Sequence, residues 1–170
     1  MKKKQTNADV LRSWGITDPV KIKAGYSWLR YKNPIEKGIY WYYFSIFIRE
    51  RDVNKYGTCI SCGRPITMES SDAGHFMPAS ACGRDLLFDE YNVNAECSHC
   101  NAWDDTHLLG YRDGLEKRYG AEVAADLRKR KAEYHYGQVV KDWSAAQYAE
   151  KIKVLPTYQQ RMQQIADSVI

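Results

Sequence analysis

The order of hydrophobic and polar positions predicts a long buried helix in the first third of the chain. Asn33 and Pro34 form its start signal, because asparagine caps a helix and proline suits the first helical position. The segment GIYWYYFSIFIRERDVNKYG follows, with aromatic residues on nearly all sides until Arg49 and a stop at Gly57. A strand over Tyr40–Phe47 is the alternative by propensity, but the cap and the charged continuation favour the helix.

The middle of the chain and its C-terminal part differ in this pattern. Residues 57–100 contain many turn formers and few helical signals, which predicts turns and a short hairpin. After Cys100 the helical period returns in HLLGYRDGLEKRYG and in AEVAADLRKRK, so two helices are expected there. A further helix is predicted in SAAQYAEKIKVL, which Pro156 ends, and the tail TYQQRMQQIADSVI is open to forming another. The predicted segments are a basic N-terminal arm, a core and a helical extension: residues 1–33, 34–132 and 133–170.

Length and composition restrict the class of protein. A chain of 170 residues suits one compact domain with extensions. It has no apolar run of the ~20 residues that a membrane span needs, and its start, MKKKQTNADV, lacks the apolar segment of a signal peptide. We therefore expect a cytoplasmic protein without a membrane partner.

Charge is distributed unevenly along the chain. The net charge is +4, but residues 1–58 carry +7, residues 59–106 carry −6 and residues 107–170 carry +3. Basic flanks around an acidic middle suit a phosphate-lined ligand, with carboxylates and a cation at its centre. Solvated helix faces give similar counts, so charge by itself favours nucleic acid only slightly.

Four of the five cysteines form two Cys-x-x-Cys pairs, Cys59 with Cys62 and Cys97 with Cys100. In a reducing compartment such pairs indicate a metal site rather than disulfides. Two residues between cysteines let a tight turn direct both sulfurs at one ion, and two pairs complete a structural, closed zinc site. A rubredoxin-like iron site and chance spacing are the alternatives. The fifth cysteine, Cys82, is expected to be a small, partly buried side chain.

The second cysteine pair is followed directly by a helical pattern. This order is typical of a treble clef, in which a knuckle and a hairpin precede a helix whose first turn supplies the last two ligands. The sequence therefore predicts an α+β fold with a zinc-stabilised treble-clef core flanked by helices. Zinc in such a core holds together a region that is too polar to fold by itself.

Three polar residues are expected in the cleft between that hairpin and that helix: His75, Asn92 and Asn101. A neutral imidazole at His75 can take a proton from water that attacks phosphorus, if a second group fixes its tautomer. The amide oxygen of Asn92, or a backbone carbonyl that Asn92 positions, can be that group. A divalent cation beside Asn101 would neutralise the phosphate and stabilise the departing 3′ oxygen. Residues of these types in this order resemble the HNH, or ββα-metal, nucleases.

A more specific resemblance comes from four stretches together: FSIFIRERDVNKYGTCISCG, DAGHF, LLFDEYNVNAECSHCN and GYRDGLEKRYG. Over roughly residues 40–132 the chain resembles the phage NinG (Rap) recombination proteins, which are related to the HNH nucleases, while the arm and residues 133–170 match poorly. The resemblance implies a structure-specific DNA endonuclease that acts on branched recombination intermediates in the host cytoplasm, with a homodimer as one option. It implies His75 as general base, Asn92 as its orienting partner and Asn101 on the metal side. The implied cofactors are structural Zn²⁺ and catalytic Mg²⁺ or Mn²⁺.

The chain departs from the HNH pattern at two positions. Nucleases of that type usually place a metal-binding Asp or His directly before the catalytic histidine, and Gly74 stands there in this chain. The missing ligand must therefore come from elsewhere. The residues that can supply it are Asp72, Asp105 and His107. Asn94 stands where the family often has a second histidine, and an asparagine cannot act as a base.

Contacts to DNA phosphates are expected from basic residues around the core: Arg49, Arg51, Lys55, Arg64 and Arg84. Arg49 and Arg51 lie two positions apart and cannot face one direction on a regular helix, so one of them can instead pair with an acid inside the fold. The rival to a nuclease is a zinc-stabilised DNA-binding or adaptor module that uses the same fold without cleavage. A redox protein follows if the cysteines bind iron.

Overall fold

The computed structural model describes residues 6–17, 35–79, 84–103, 107–135 and 142–169. Within these ranges the protein is a mixed α+β fold dominated by helices, with one two-stranded sheet formed by β1 (Ser71–His75) and β2 (Val93–Cys97). The helices are α1 (Asn7–Ser13), α2 (Ile35–Lys55), α3 (Arg84–Leu87), α4 (Ser98–Trp103), α5 (His107–Tyr119), α6 (Ala121–His135), α7 (Ala145–Val154) and α8 (Pro156–Asp167). None of these helices combines the length and the apolar character needed to cross a membrane.

The helix boundaries follow local signals in the sequence. Helix α2 confirms the predicted long aromatic helix, although the start signal at Asn33 and Pro34 lies outside the described residues. Gly57 and Gly120 follow the ends of α2 and α5 with φ values of 65° and 101°, a region that glycine enters without steric cost. The helices predicted on either side of Gly120 are confirmed as α5 and α6. Pro156 separates α7 from α8 and stands in the first turn of α8, where proline is favourable.

The described residues divide into two compact units. The first joins the chain up to Phe44 with the chain from Trp143 onward, and the second runs from Ser45 to Asp142. Helix α2 contributes its first half to one unit and its second half to the other. This division differs from the three predicted segments, because the described parts of the arm and most of the extension belong to the same unit.

In the first unit, hydrogen bonds join segments that are far apart in the chain. The Tyr43 hydroxyl donates to the Trp14 carbonyl at 2.6 Å, and the Thr157 hydroxyl donates to the Tyr43 carbonyl at 3.0 Å. Leu11 and Ile152 are fully buried in the apolar core of this unit. Residues from both ends of the chain therefore share one core around the first half of α2.

In the second unit, β1 and β2 pair in antiparallel register, with Asp72 opposite Glu96 and His75 opposite Val93. Because side chains alternate along a strand, Asp72, Gly74 and Glu96 share one face of the sheet. His75 lies on the opposite face. The predicted hairpin exists as this strand pair, but the connection between the strands contains the short helix α3, where the sequence predicted turns. Helix α4 begins directly after β2, so the sheet fixes its first turn.

Buried Asp52 joins α2 to the sheet and to α5. One of its carboxylate oxygens accepts from Arg51 Nε at 2.7 Å. The other accepts from the Ala95 N–H at 2.7 Å and from Arg118 at 3.3 Å. Arg118 also donates to the Thr58 carbonyl at 2.7 Å, next to the first cysteine. A buried charge network of this kind is rigid while it is complete, and it is costly to break at one member.

The substitution Asp52→Ala should therefore destabilise the protein by about 3–5 kcal/mol, because it leaves two largely buried arginines without their anion. Urea-induced unfolding measures this change. Asp113→Ala is the matched control, since Asp113 is exposed and pairs with Arg112 at the surface, and its effect should stay within about 0.5 kcal/mol. Equal losses in the two variants would contradict the structural role of Asp52.

Candidate functional site

Four cysteine sulfurs meet where the chain after α2 reaches the start of α4. The Sγ atoms of Cys59, Cys62, Cys97 and Cys100 all lie within 4.8 Å of one another, and those of Cys62 and Cys97 are 3.8 Å apart. Zinc–sulfur bonds of ~2.3 Å place the sulfurs of a tetrahedral site about 3.8 Å apart, so the arrangement fits one such ion. The predicted four-cysteine site is confirmed as a cluster that can hold a structural metal such as zinc.

The first cysteine pair lies in a tight turn. The Cys59 N–H donates to the Arg64 carbonyl at 2.8 Å, and the Gly63 N–H donates to the Cys59 carbonyl at 3.0 Å. Gly63 has a φ of 72°, which allows the chain to reverse within so few residues. Burial raises the pKa of the Cys59 and Cys100 thiols. A bound cation would therefore be what holds these two groups as thiolates.

His75, the predicted general base, ends strand β1. Its Nε2 atom lies 3.0 Å from the Leu87 carbonyl oxygen. Because a carbonyl only accepts hydrogen bonds, Nε2 carries the proton of the neutral ring and Nδ1 carries the lone pair. Burial lowers the pKa of His75 to about 4, and the Leu87 carbonyl opposes this effect only in part. The imidazole is therefore neutral at physiological pH, which is the form that a general base needs.

Asn92, the predicted orienting partner of His75, is fully buried. Its side-chain oxygen accepts from the Met77 N–H at 2.7 Å, and its Nδ2 donates to the Leu86 carbonyl at 2.7 Å and to the Met77 carbonyl at 3.2 Å. The Leu87 carbonyl that contacts His75 belongs to the residue that follows Leu86. Of the two predicted options, the geometry favours a backbone carbonyl that Asn92 positions.

On the other face of β1, Gly74 leaves space for oxygen atoms from two neighbouring elements. A Cβ atom at Gly74 would overlap Oε2 of Glu96 and would lie 3.0 Å from Oδ1 of Asn101. Glu96 is fully buried. Its Oε1 accepts hydrogen bonds from the Ser61 hydroxyl at 2.5 Å and from His107 Nδ1 at 2.9 Å. Oxygen donors from β2 and from α4 therefore face the same space beside Gly74.

Of the predicted metal-side residues, Asn101 has its Oδ1 beside Gly74, Asp72 lies on the same face of the sheet, and His107 bonds to Glu96. Asp105 lies outside the described residues. Burial raises the pKa of Glu96, and the charge of Asp72 on the paired strand adds to that effect. Sequence reasoning misses Glu96, because one glutamate in a five-residue strand resembles an ordinary solvent-facing position. The signal that could have found it is Gly74, whose absent side chain leaves room for a group from the paired strand.

Two of the residues predicted to contact DNA also make hydrogen bonds within the fold. Arg49 donates to the Met68 carbonyl at 2.9 Å, and Arg51 donates to Asp52 and to the Glu90 carbonyl at 2.7 and 2.8 Å. These bonds tie both half-buried guanidinium groups to the fold, and their contacts with DNA phosphates stay a prediction. The side chains of Lys55 and Arg64 are exposed, and the side chain of Arg84 lies outside the described part of the structure.

Comparison with known proteins places the chain in a family. The family model described as Bacteriophage Lambda NinG protein matches residues 39–165. The chain belongs to the NinG family. Protein ninG of Escherichia phage 933W is 35% identical over 111 residues, which cover 64% of this chain and 52% of that relative. The proteins ninG of Salmonella phage P22 and Escherichia phage lambda are 34% and 33% identical over 113 and 111 residues, with the same coverage.

The NinG match extends the predicted resemblance. The chain spans about half the length of the curated relatives that it matches, and no solved structure matches it. The match to residue 165 corrects the expectation that the family ends near residue 132, because it includes α7 and most of α8. The NinG region thus contains the cysteine cluster, both strands and part of the first unit.

Replacement of one cluster cysteine should release the metal. Cys97→Ser leaves three thiolates and forfeits most of the binding free energy, which is on the order of 10 kcal/mol for structural zinc. Zinc content by atomic emission and the thermal unfolding curve measure the effect. Cys82→Ser is the control, since Cys82 is the one cysteine that belongs to neither Cys-x-x-Cys pair. A Cys97→Ser protein with full zinc and an unchanged unfolding curve would contradict the assignment.

The half-buried, neutral His75 should make the free energy of unfolding depend on pH. As pH falls from about 6.5 to about 4, the unfolded chain protonates this ring before the folded chain does, so the free energy of unfolding falls. The loss is at most about 3 kcal/mol. His75→Gln retains an N–H donor for the Leu87 carbonyl and should lack this part of the pH dependence. Chemical unfolding of both proteins at a series of pH values measures the difference, and a difference that does not vary with pH would contradict the buried neutral ring.

Proposed function

We propose that this NinG-family chain is a metal-dependent endonuclease that hydrolyses phosphodiester bonds in branched DNA. The observation that carries the proposal is the placement of a neutral His75 on one face of β1 and of oxygen donors around Gly74 on the other. Both belong to a strand–strand–helix unit that the cysteine cluster closes. A strand pair followed directly by a helix, beside a cysteine cluster that can hold zinc, supports a treble-clef core of the HNH type as the proposed fold.

In the proposed reaction, His75 removes a proton from the attacking water. Nδ1 takes that proton while the water oxygen bonds to phosphorus and the bond from phosphorus to the 3′ oxygen breaks. The Leu87 carbonyl keeps the other ring proton on Nε2 and stabilises the imidazolium that forms. Asn92 acts as a positioning residue, because its hydrogen bond to the Leu86 carbonyl holds the segment that carries Leu87.

Asn101 would hold a divalent cation, Mg²⁺ or Mn²⁺, with Asp72 and His107 as the other predicted residues. When bound, such an ion neutralises the phosphate and stabilises the departing 3′ oxygen. The oxygen donors beside Gly74 fit these hard cations, whereas the sulfur cluster fits zinc. The two sites would therefore select different metals.

Contacts with DNA are proposed for the exposed side chains of Lys55 and Arg64. Symmetric cleavage of a four-way junction needs two active sites, which a homodimer would provide. Location in the host cytoplasm is part of the same proposal.

The alternative function is a zinc-stabilised DNA-binding or adaptor module without catalysis. The hydrogen bond of the half-buried His75 favours it, because an imidazole that donates to a backbone carbonyl also serves to satisfy that carbonyl. The two functions differ in whether Nδ1 of His75 reacts with water.

Cleavage of synthetic four-way junction DNA with Mg²⁺ or Mn²⁺ distinguishes them. His75→Gln should reduce the cleavage rate by ~100- to 10,000-fold, because the basic nitrogen is lost. DNA affinity, zinc content and far-ultraviolet circular dichroism should stay unchanged, since the N–H donor to Leu87 is retained. His99→Ala is the matched control, because His99 is exposed on α4. A His75→Gln protein that cleaves at the wild-type rate would overturn the catalytic role.

A further inference from the structure

One carboxylate oxygen of Glu96 is buried without a hydrogen-bond partner among the described residues. Glu96 is fully buried, and its Oε2 has no hydrogen-bond partner among the described residues. Its Oε1 is held from two sides, by Ser61 and by His107. Buried carboxylates are normally paired, hydrogen-bonded or bound to a metal, because an unsatisfied charged oxygen is costly in a low-dielectric interior.

The unpartnered oxygen points at a defined place. The position of a Cβ atom on Gly74 is overlapped by Glu96 Oε2 and lies 3.0 Å from Asn101 Oδ1. Asp72 stands opposite Glu96 in the strand register and on the same face of the sheet. An oxygen from β2 and an oxygen from α4 thus approach β1 where this strand has no side chain.

We propose that Glu96 Oε2 and Asn101 Oδ1 bind a divalent cation of the Mg²⁺ or Mn²⁺ class beside Gly74. Glu96 would supply, from the second strand, the ligand that HNH nucleases usually take from the residue before the catalytic histidine. Carboxylate and amide oxygens are the ligands that these hard cations prefer. A role for this ion in catalysis rests on the proposed function. Binding of the ion does not depend on it and can be measured separately.

The neighbours of Glu96 suit this role. His107 and Ser61 both bond to Oε1 and so fix the direction of the carboxylate, as outer-shell groups do around metal ligands. His107 therefore acts in this account through Glu96. Gly74 matters through its size, because any larger residue there would occupy the place of Oε2.

The test measures Mn²⁺ binding to the full, zinc-loaded chain by electron paramagnetic resonance of the free ion, without DNA. Wild type should bind one Mn²⁺ in addition to its zinc. Glu96→Gln should weaken that binding by at least about 10- to 100-fold, the loss typical even of outer-shell changes. Glu122→Gln, at an exposed position on α6, should bind as wild type does. Wild-type affinity in Glu96→Gln, or no specific Mn²⁺ in wild type, would overturn the proposal.

A second variant keeps the test valid if Glu96→Gln loses its fold or its zinc. Asn101 is exposed, so Asn101→Ala should fold normally and should also weaken Mn²⁺ binding, and wild-type affinity in this variant would overturn the site. Mn²⁺ binding that depends on Glu96 in a protein that cuts no DNA would support the site and overturn the nuclease. Cleavage that persists with unchanged Mn²⁺ affinity in Glu96→Gln would overturn the site and leave the nuclease.

Discussion

The convergence of four cysteine sulfurs is the constraint on which the second unit depends. Cys59 and Cys62 lie in the turn after α2, while Cys97 and Cys100 lie at the junction of β2 and α4. A metal bound at this point would fix the end of β2, and β2 in turn holds β1 through the antiparallel register. The candidate residues His75, Glu96, Asn101, His107 and Asn92 lie on these strands, on α4, at the start of α5 or on the segment between the strands.

That framework places two kinds of chemistry on opposite faces of one short strand. The His75 ring is half-buried and bonds to the Leu87 carbonyl, and burial lowers its pKa so that it is neutral at physiological pH. The side of Gly74 is lined by oxygen atoms and contains a buried carboxylate. The proposed base and the proposed metal ligand would thus lie close together in the fold without sharing an environment.

Features that arise from neighbouring residues were predictable, and features that arise from packing were not. The spacing of the cysteine pairs and the helix-ending Gly57 and Gly120 are local signals, and the structure confirms what they predicted. The structural role of Arg49 depends on carbonyls of residues that come later in the chain. The burial of Glu96 likewise depends on Gly74 in the paired strand, and periodicity in one strand cannot show it.

The division into two units also arises from packing between distant residues and was therefore not predictable from local signals. The hydrogen bond from Thr157 to Tyr43 joins residues 114 positions apart, a distance at which composition and charge give no guidance. The family match to residue 165 agrees with this connection, because it extends through helices that belong to the first unit. The sequence motifs that indicate the family lie around the cysteine pairs, so the motifs alone do not show that the family extends to the helices beyond them.

End-group analysis of junction DNA incubated with the zinc-loaded protein and Mn²⁺ tests the central claim most directly. Attack by a water that His75 activates, with departure of the 3′ oxygen, predicts cleavage that leaves 5′-phosphate and 3′-hydroxyl ends. DNA that is bound but stays intact at every Mn²⁺ concentration, or products with 3′-phosphate ends, would contradict the account.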